Sequence, residues 1–236
     1  MDYGRINIFT GHFGSGKTET ALNFAVALLN KGHKTYLADM DIVNPYFRSA
    51  DAKERMENLG MKVIAPVYAN TNVDVPALPA EVNKVFENKE LVAVLDIGGD
   101  DLGARAVATY RKKILNEDYR HFFVVNVKRP LTETVEGIIR YVNDIETTSG
   151  VKVTGLVNNT NLMQFTTIND IMEGNEIIQK AAHQLNIPVS FHCIMEDLLT
   201  GVETEQKNSA LSQHFLEKEK EIILPMIKYI GNKWGV

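Results

Sequence analysis

The sequence predicts an α/β fold: a three-layer, doubly wound sheet of about seven mostly parallel strands with helices on both faces. Short β-rich apolar runs alternate with longer segments of helical periodicity along the chain. Most of the runs are almost continuously apolar, as strands covered on both faces must be. A glycine-rich turn joins the first run to the first helical segment.

In chain order, the first strand is expected at 6–10, followed by an Ala- and Leu-rich helix at 18–30. Strands at 35–38 and 62–66 precede a helix at 79–88, and the strand at 91–97 feeds a helix at 104–116. Strand 121–127 feeds helix 132–148, and strand 151–157 feeds helix 169–186; the last strand is expected at 189–193. A closing helix over 209–230 contains Pro225, which should kink or split it by removing a backbone donor. In such a sheet, ligands bind beyond the carboxyl ends of the strands, so functional residues should follow strands directly.

With 236 residues and no Pro/Gly/Ser-rich linker, the chain is read as a single domain, 1–236. A hydrophobic content of 44% and a charged content of 23% are ordinary globular values and favour neither a disordered nor a membrane-spanning class. The net charge of -5, without a long Lys/Arg run, argues against nucleic acid as a partner. The single cysteine, Cys193, cannot form an internal disulfide, and the amino terminus has no long apolar segment, so a reducing cytoplasmic setting is expected. Cys193 lies inside an apolar run and reads as a packed core thiol; the six histidines show no metal-ligand spacing, and no structural metal is expected.

Gly11, His12, Phe13, Gly14, Ser15, Gly16, Lys17 and Thr18 fit G-x-x-x-x-G-K-[ST] at every fixed position, between an apolar strand and a helix. Glycines let the backbone curl so that amides face phosphate oxygens, and the helix adds the positive end of its dipole. Lys17 is expected on the β/γ-phosphates and Thr18 on Mg2+, with Glu19 counted among the nucleotide-binding residues. ATP with magnesium is the expected ligand.

From this loop through 16–29 to Leu37-Ala38-Asp39-Met40-Asp41, the sequence resembles the MinD/ParA/CobQ-type P-loop ATPases of the SIMIBI class. Asp96-Ile97-Gly98-Gly99 and Asn158-Asn159 extend the resemblance over most of the chain. The resemblance implies that Asp39 and Asp41 form switch I, with Asp41 near the metal and the attacking water. It implies that Asp96 is the Walker B carboxylate, that Gly99 lets switch II approach the γ-phosphate, and that Asn158 reads the adenine edge. Met195 stands in the base-lining loop where relatives carry proline. His12 stands where the family's deviant loop carries its signature lysine, and a neutral imidazole does not supply that permanent charge. Arg48 and Arg105 are alternative cations, and both also fit surface roles. Asp100 and Asp101 fit turn or helix-capping roles as well as site roles.

Two other segments stay open at this level. The basic pair in Lys128-Arg129-Pro130 follows a strand and reads as a solvated turn or as a contact to phosphate or a partner. The aromatics of 41–49 fit either a partner or the sheet edge. The tail 222–230 has little positive charge, which favours packing on the domain over a peripheral membrane contact.

Three functions fit: a nucleotide-switched ATPase acting on a protein partner or a second copy, an ATP-dependent phosphotransferase or ligase resembling dethiobiotin synthetase or the cobyrinate amidation enzymes, and an ATP-binding regulatory module. The Asp39/Asp41 pair and the first helix favour the switch.

Overall fold

A computed structural model of the chain describes residues 2–41, 50–65, 81–99, 101–200 and 210–229. Eight strands form one sheet: β1 Ile6–Thr10, β2 Thr35–Asp39, β3 Lys62–Ile64, β4 Val92–Asp96, β5 Tyr119–Val125, β6 Gly155–Asn158, β7 Val189–Met195 and β8 Ile223–Met226. Their order is β3-β2-β4-β1-β5-β6-β7-β8, and every neighbouring pair is parallel. Eight helices accompany them among the described residues: α1 Lys17–Asn30, α2 Ala50–Asn58, α3 Val82–Glu87, α4 Asp101–Ile114, α5 Val135–Ser149, α6 Ile168–Leu185, α7 Glu196–Thr200 and α8 Ala210–Lys218.

The pleat sorts the strand residues onto two faces, one covered by α1 and the other by α4, α5 and α6. In β1, Ile6 and Ile8 pack with α4 residues such as Val107, whereas Phe9 faces Phe24 and Leu28 of α1. In β5, Phe122 and Val124 join the α1 side, whereas Phe123 and Val125 meet α5 and α6. Phe24 and Phe122 are in ring contact with each other and with both Phe9 and Phe191, at 5.1 to 5.7 Å. Each such buried ring contributes roughly 1.5–3 kcal/mol of apolar burial.

The helix ends follow from local chemistry. Thr134 caps α5 by accepting from the Gly137 amide, and Thr167 with Asp170 forms a capping box on α6. Asn186 ends α6 in the left-handed region at φ 55, which its short polar side chain tolerates.

The carboxyl-terminal segment corrects the expectation of a kinked helix over 209–230. Helix α8 stops at Lys218, and 223–226 become an eighth parallel strand at the sheet edge. Pro225 stands opposite Ile194 there. An edge strand is paired on one side only, so proline's missing donor is tolerated. Asn23 of α1 holds the following residues: its Nδ2 donates to the Ile227 carbonyl at 2.9 Å, and its Oδ1 accepts from the Ile227 amide at 2.8 Å.

Candidate functional site

The turn between β1 and α1 is shaped by glycines with positive φ, of which Gly16 is the most constrained. It takes φ 82 and ψ 21 at the helix entry, and a Cβ there would lie 2.2 Å from Asn159 Nδ2. Within the turn the Ser15 amide donates to the His12 carbonyl at 3.0 Å. The Ser15 hydroxyl is buried without a hydrogen-bond partner among the described residues. Lys17 opens α1 and is 93% buried from solvent by its 7% exposure, which is rare for a lysine lacking an anionic ligand or partner.

Gly99, just beyond β4, closes the other side. A Cβ on it would sit 3.0 Å from both Lys17 Nζ and the Phe13 amide nitrogen, and 3.1 Å from the Gly11 carbonyl. The segment after β4 therefore lies directly on the loop, at a distance tighter than a side chain there would ordinarily take. Gly103 repeats this one turn into α4, where a Cβ would meet the Gly98 carbonyl at 2.1 Å.

The carboxylates come from adjacent strands. Asp39 and Asp96 are register partners at the ends of β2 and β4, and both are buried. The Asp41 amide donates to Asp39 Oδ1 at 3.0 Å, turning the chain back toward the site. Burial first, and the Asp39 charge second, push the Asp96 carboxyl up to about 7, while Lys17 and a hydrogen bond from Thr18 pull it down. Asp96 Oδ1 has no hydrogen-bond partner among the described residues. A buried, unsatisfied carboxylate oxygen beside a second carboxylate and the Thr18 hydroxyl fits a hard divalent cation. Among the described residues no group of three or more His, Cys, Asp or Glu encloses a metal. A cation here would complete its shell with phosphate oxygens and water, which is how magnesium is usually held.

The expected residues separate clearly. Gly11, Gly14, Ser15, Gly16, Lys17, Thr18, Asp39, Asp41, Asp96 and Gly99 converge around the end of β1. Phe13 stands out at 72% exposure on the outer lip. His12 turns its ring onto Tyr141 of α5, with centroids 4.9 Å apart. Glu19 is engaged by the Tyr229 amide of the carboxyl-terminal segment. Met195 ends β7 packed against the α1-side core. Arg105 is exposed on α4, and Asp101 opens that helix. Arg48, Asp100 and the loop residues 42–49 lie outside the described residues.

Asn158, expected at the base, has its side chain withdrawn from the loop. It is fully buried: its Nδ2 donates to the Ile171 carbonyl at 3.0 Å and lies 3.2 Å from His192 Nδ1, and its Oδ1 accepts from the Thr160 amide. Asn159 is the residue that meets the loop, donating from Nδ2 to the Ser15 carbonyl at 2.7 Å. The pleat explains the difference. Leu156 faces the α5/α6 side and Val157 the α1 side, so Asn158 turns to α6 and Asn159 to the loop. Counting that alternation forward from Val157 would have found it.

Arg129, left open in the sequence between a solvated turn and a phosphate contact, also meets the loop. Its Nε, Cδ and Cζ lie 3.6 to 3.9 Å from the position a Cβ would take on Gly14. The nearest sequence signal was its place directly after a strand.

Residues 6–190 match the CbiA family, described as the CobQ/CobB/MinD/ParA nucleotide binding domain. A comparison with curated protein sequences gave no match. Among solved structures, cell division protein FtsY from Thermotoga maritima has a TM-score of 0.56 at 21% identity, covering 80% of this chain and 61% of its own. The signal recognition particle receptor FtsY from Elizabethkingia anophelis, solved in complex with GDP, has a TM-score of 0.50 at 16% identity, with coverage of 82% and 58%. Chloroplast FtsY from Physcomitrella patens gives 0.50 at 16%, with coverage of 79% and 57%. This chain spans about three fifths of the length of these structures, and the likeness is one of fold.

Proposed function

Since the chain belongs to the CobQ/CobB/MinD/ParA nucleotide-binding domain family, we propose that it is a magnesium-dependent, nucleotide-switched ATPase acting on a protein partner. The observation that carries the reading is the convergence of buried Lys17, Thr18 and the Asp39/Asp96 pair, with Asp96 Oδ1 left without a partner. Lys17 and the loop amides would bind the β/γ-phosphates. Thr18 and Asp96 would hold magnesium, which supplies charge neutralisation on those phosphates when bound. Asp41, held next to Asp39 through its amide, is the residue we assign to orienting the attacking water.

Gly99 is the residue we assign to the switch, since its close approach to Lys17 and Phe13 is the one a γ-phosphate would share. For the base we assign Asn159, which is anchored to the loop, in place of Asn158. Adenine is the expected base, and the GDP in the Elizabethkingia FtsY structure makes guanine the arm to test against it.

Thermal unfolding with Mg-ATP, Mg-GTP and neither, for the wild type and Lys17→Ala, tests the reading. Mg-ATP should raise the wild-type midpoint and leave Lys17→Ala unmoved. A shift with neither nucleotide, or an equal shift in Lys17→Ala, would remove the phosphate site; a shift with Mg-GTP alone would reassign the base. ADP release that requires an added small carboxylic acid would move the reading from a switch to phosphotransfer.

A further inference from the structure

We propose that Arg129 is a second cation of the phosphate site, binding the nucleotide's phosphates from the Gly14 side of the loop. This rests on the nucleotide-binding reading and extends it to a residue outside the motif.

The charge balance calls for such a group. Three carboxylates, Asp39, Asp41 and Asp96, stand near one lysine, and a divalent cation would do little more than offset them. The triphosphate's own charge is then left to the loop amides and to any further cation within reach. His12 supplies no fixed charge there: its ring is packed edge-on against Tyr141, and its Nδ1 is buried without a hydrogen-bond partner among the described residues.

Arg129 does lie within reach. Its guanidinium carbon and Nε lie against Gly14, whose φ of 77 and missing side chain leave the face of the loop open. Its Nε is buried without a hydrogen-bond partner among the described residues. A buried guanidinium donor left unmatched is costly unless a ligand completes it.

The neighbouring cation is engaged. Lys128, one residue earlier, pairs with Asp170 at 2.9 Å and Glu173 at 3.1 Å. No carboxylate lies within ion-pair distance of Arg129 among the described residues.

The turn that carries it is pinned. The Arg129 amide donates to the Asn126 carbonyl at 3.1 Å, and the Thr132 hydroxyl donates to the same carbonyl at 3.0 Å. Asn126 is itself buried, accepting from the Lys128 and Asn161 amides and donating to the Asn161 carbonyl. Asn161 follows Asn159, which holds Ser15, so one polar network sets Arg129 and the loop relative to each other. A guanidinium held this way gives up little conformational entropy on meeting a phosphate, and its planar fork suits the ligand.

The test is calorimetric titration of wild type, Arg129→Ala, Arg129→Lys and Lys17→Ala with Mg-ATP, Mg-GTP and adenosine. Arg129→Ala should weaken whichever magnesium triphosphate the wild type binds by roughly tenfold or more, the loss expected for one charge-assisted hydrogen bond. It should leave adenosine unchanged, and Arg129→Lys should recover part of the loss. The dependence of affinity on salt should also become shallower in Arg129→Ala. A triphosphate affinity within about twofold of wild type in Arg129→Ala, while Lys17→Ala abolishes binding, would overturn the assignment and leave the phosphate site standing. Equal losses for adenosine and triphosphate would also overturn it, since they would indicate a role in loop shape. A wild type that binds no nucleotide would remove the assignment together with the reading beneath it. Should Arg129→Ala fold poorly, Arg129→Gln gives the same comparison with the side-chain bulk retained.

Discussion

Asp96 ends an apolar strand with its carboxyl buried beside Asp39, so it binds its proton more tightly in the folded chain, at about 7 against an ordinary 3.8. Between those values the folded state holds a proton that the unfolded state has released, so stability from this group is present at low pH and is lost as pH rises toward 7. Replacing the carboxyl by an amide removes that loss. Asp96→Asn without nucleotide should melt close to wild type near pH 4.5 and well above it near pH 8, by an amount on the order of a few kcal/mol. His121, which burial drives down to about 4, acts in the opposite direction, but it is present in both proteins and cancels in the difference. A gap that does not open with pH would remove Asp96 from this account. With magnesium nucleotide the order should reverse, because the charged carboxylate is then matched. The motif residues Gly11 to Thr18 and the strand-end carboxylates were legible because each combines a residue type with a spacing that phosphate and metal chemistry demand. Asn159 was legible only as the neighbour of Asn158, and Arg129 only as one of two open readings, because their contacts to Ser15 and Gly14 lie more than a hundred positions away.

At the scale of elements, helix α1 is more than the continuation of the phosphate loop. Its Glu19 and Asn23 face the segment after β8, with Asn23 making a two-way hydrogen-bond pair to Ile227 and Glu19 accepting from the Tyr229 amide. Arg55 of α2 adds a hydrogen bond to the Tyr229 carbonyl at 3.0 Å and stacks over its ring. The edge strand is thus tied to the same helix that begins at Lys17. Asn23→Ala should destabilise the chain by about 1–3 kcal/mol, the cost of leaving half-buried backbone groups unmatched. Hydrogen exchange should show the loss at the Ile227 amide, and unchanged protection there would mean that strand pairing alone holds the edge. This strand was hidden in the sequence for a physical reason. The charged run Glu217 to Glu221 reads as an exposed helix face, and the apolar residues after it continue without a turn signal. Only Pro225 marked a break, and it fits a kinked helix as well as an edge strand. The central strands had no such ambiguity, since 6–10 and 91–97 are short, β-rich and flanked by breakers or polar residues.

Across the whole molecule, the α1-side core takes a buried residue from each of the eight strands: Val63, Leu37, Val94, Phe9, Phe122, Val157, Phe191 and Leu224, in sheet order. Phe24 and Leu28 of α1 belong to the same cluster, so the helix carrying Lys17 is seated on residues drawn from both sheet edges. No strand can leave the sheet without uncovering part of that cluster, and with it the support of the phosphate loop. The chain should therefore unfold in one cooperative transition, with calorimetric and van't Hoff enthalpies in agreement. Bound nucleotide should move the transition as a unit. At free Mg-ATP about 100-fold above its Kd, linkage adds about 2.7 kcal/mol, and a chain of this size gains roughly 2–4 °C per kcal/mol. The whole transition should rise by about 5–10 °C without splitting. Two resolved transitions, only one of them moved by nucleotide, would show that the β5-to-β8 half folds apart from the half that carries Asp39 and Asp96, and the single core spanning all eight strands would not be the cooperative unit.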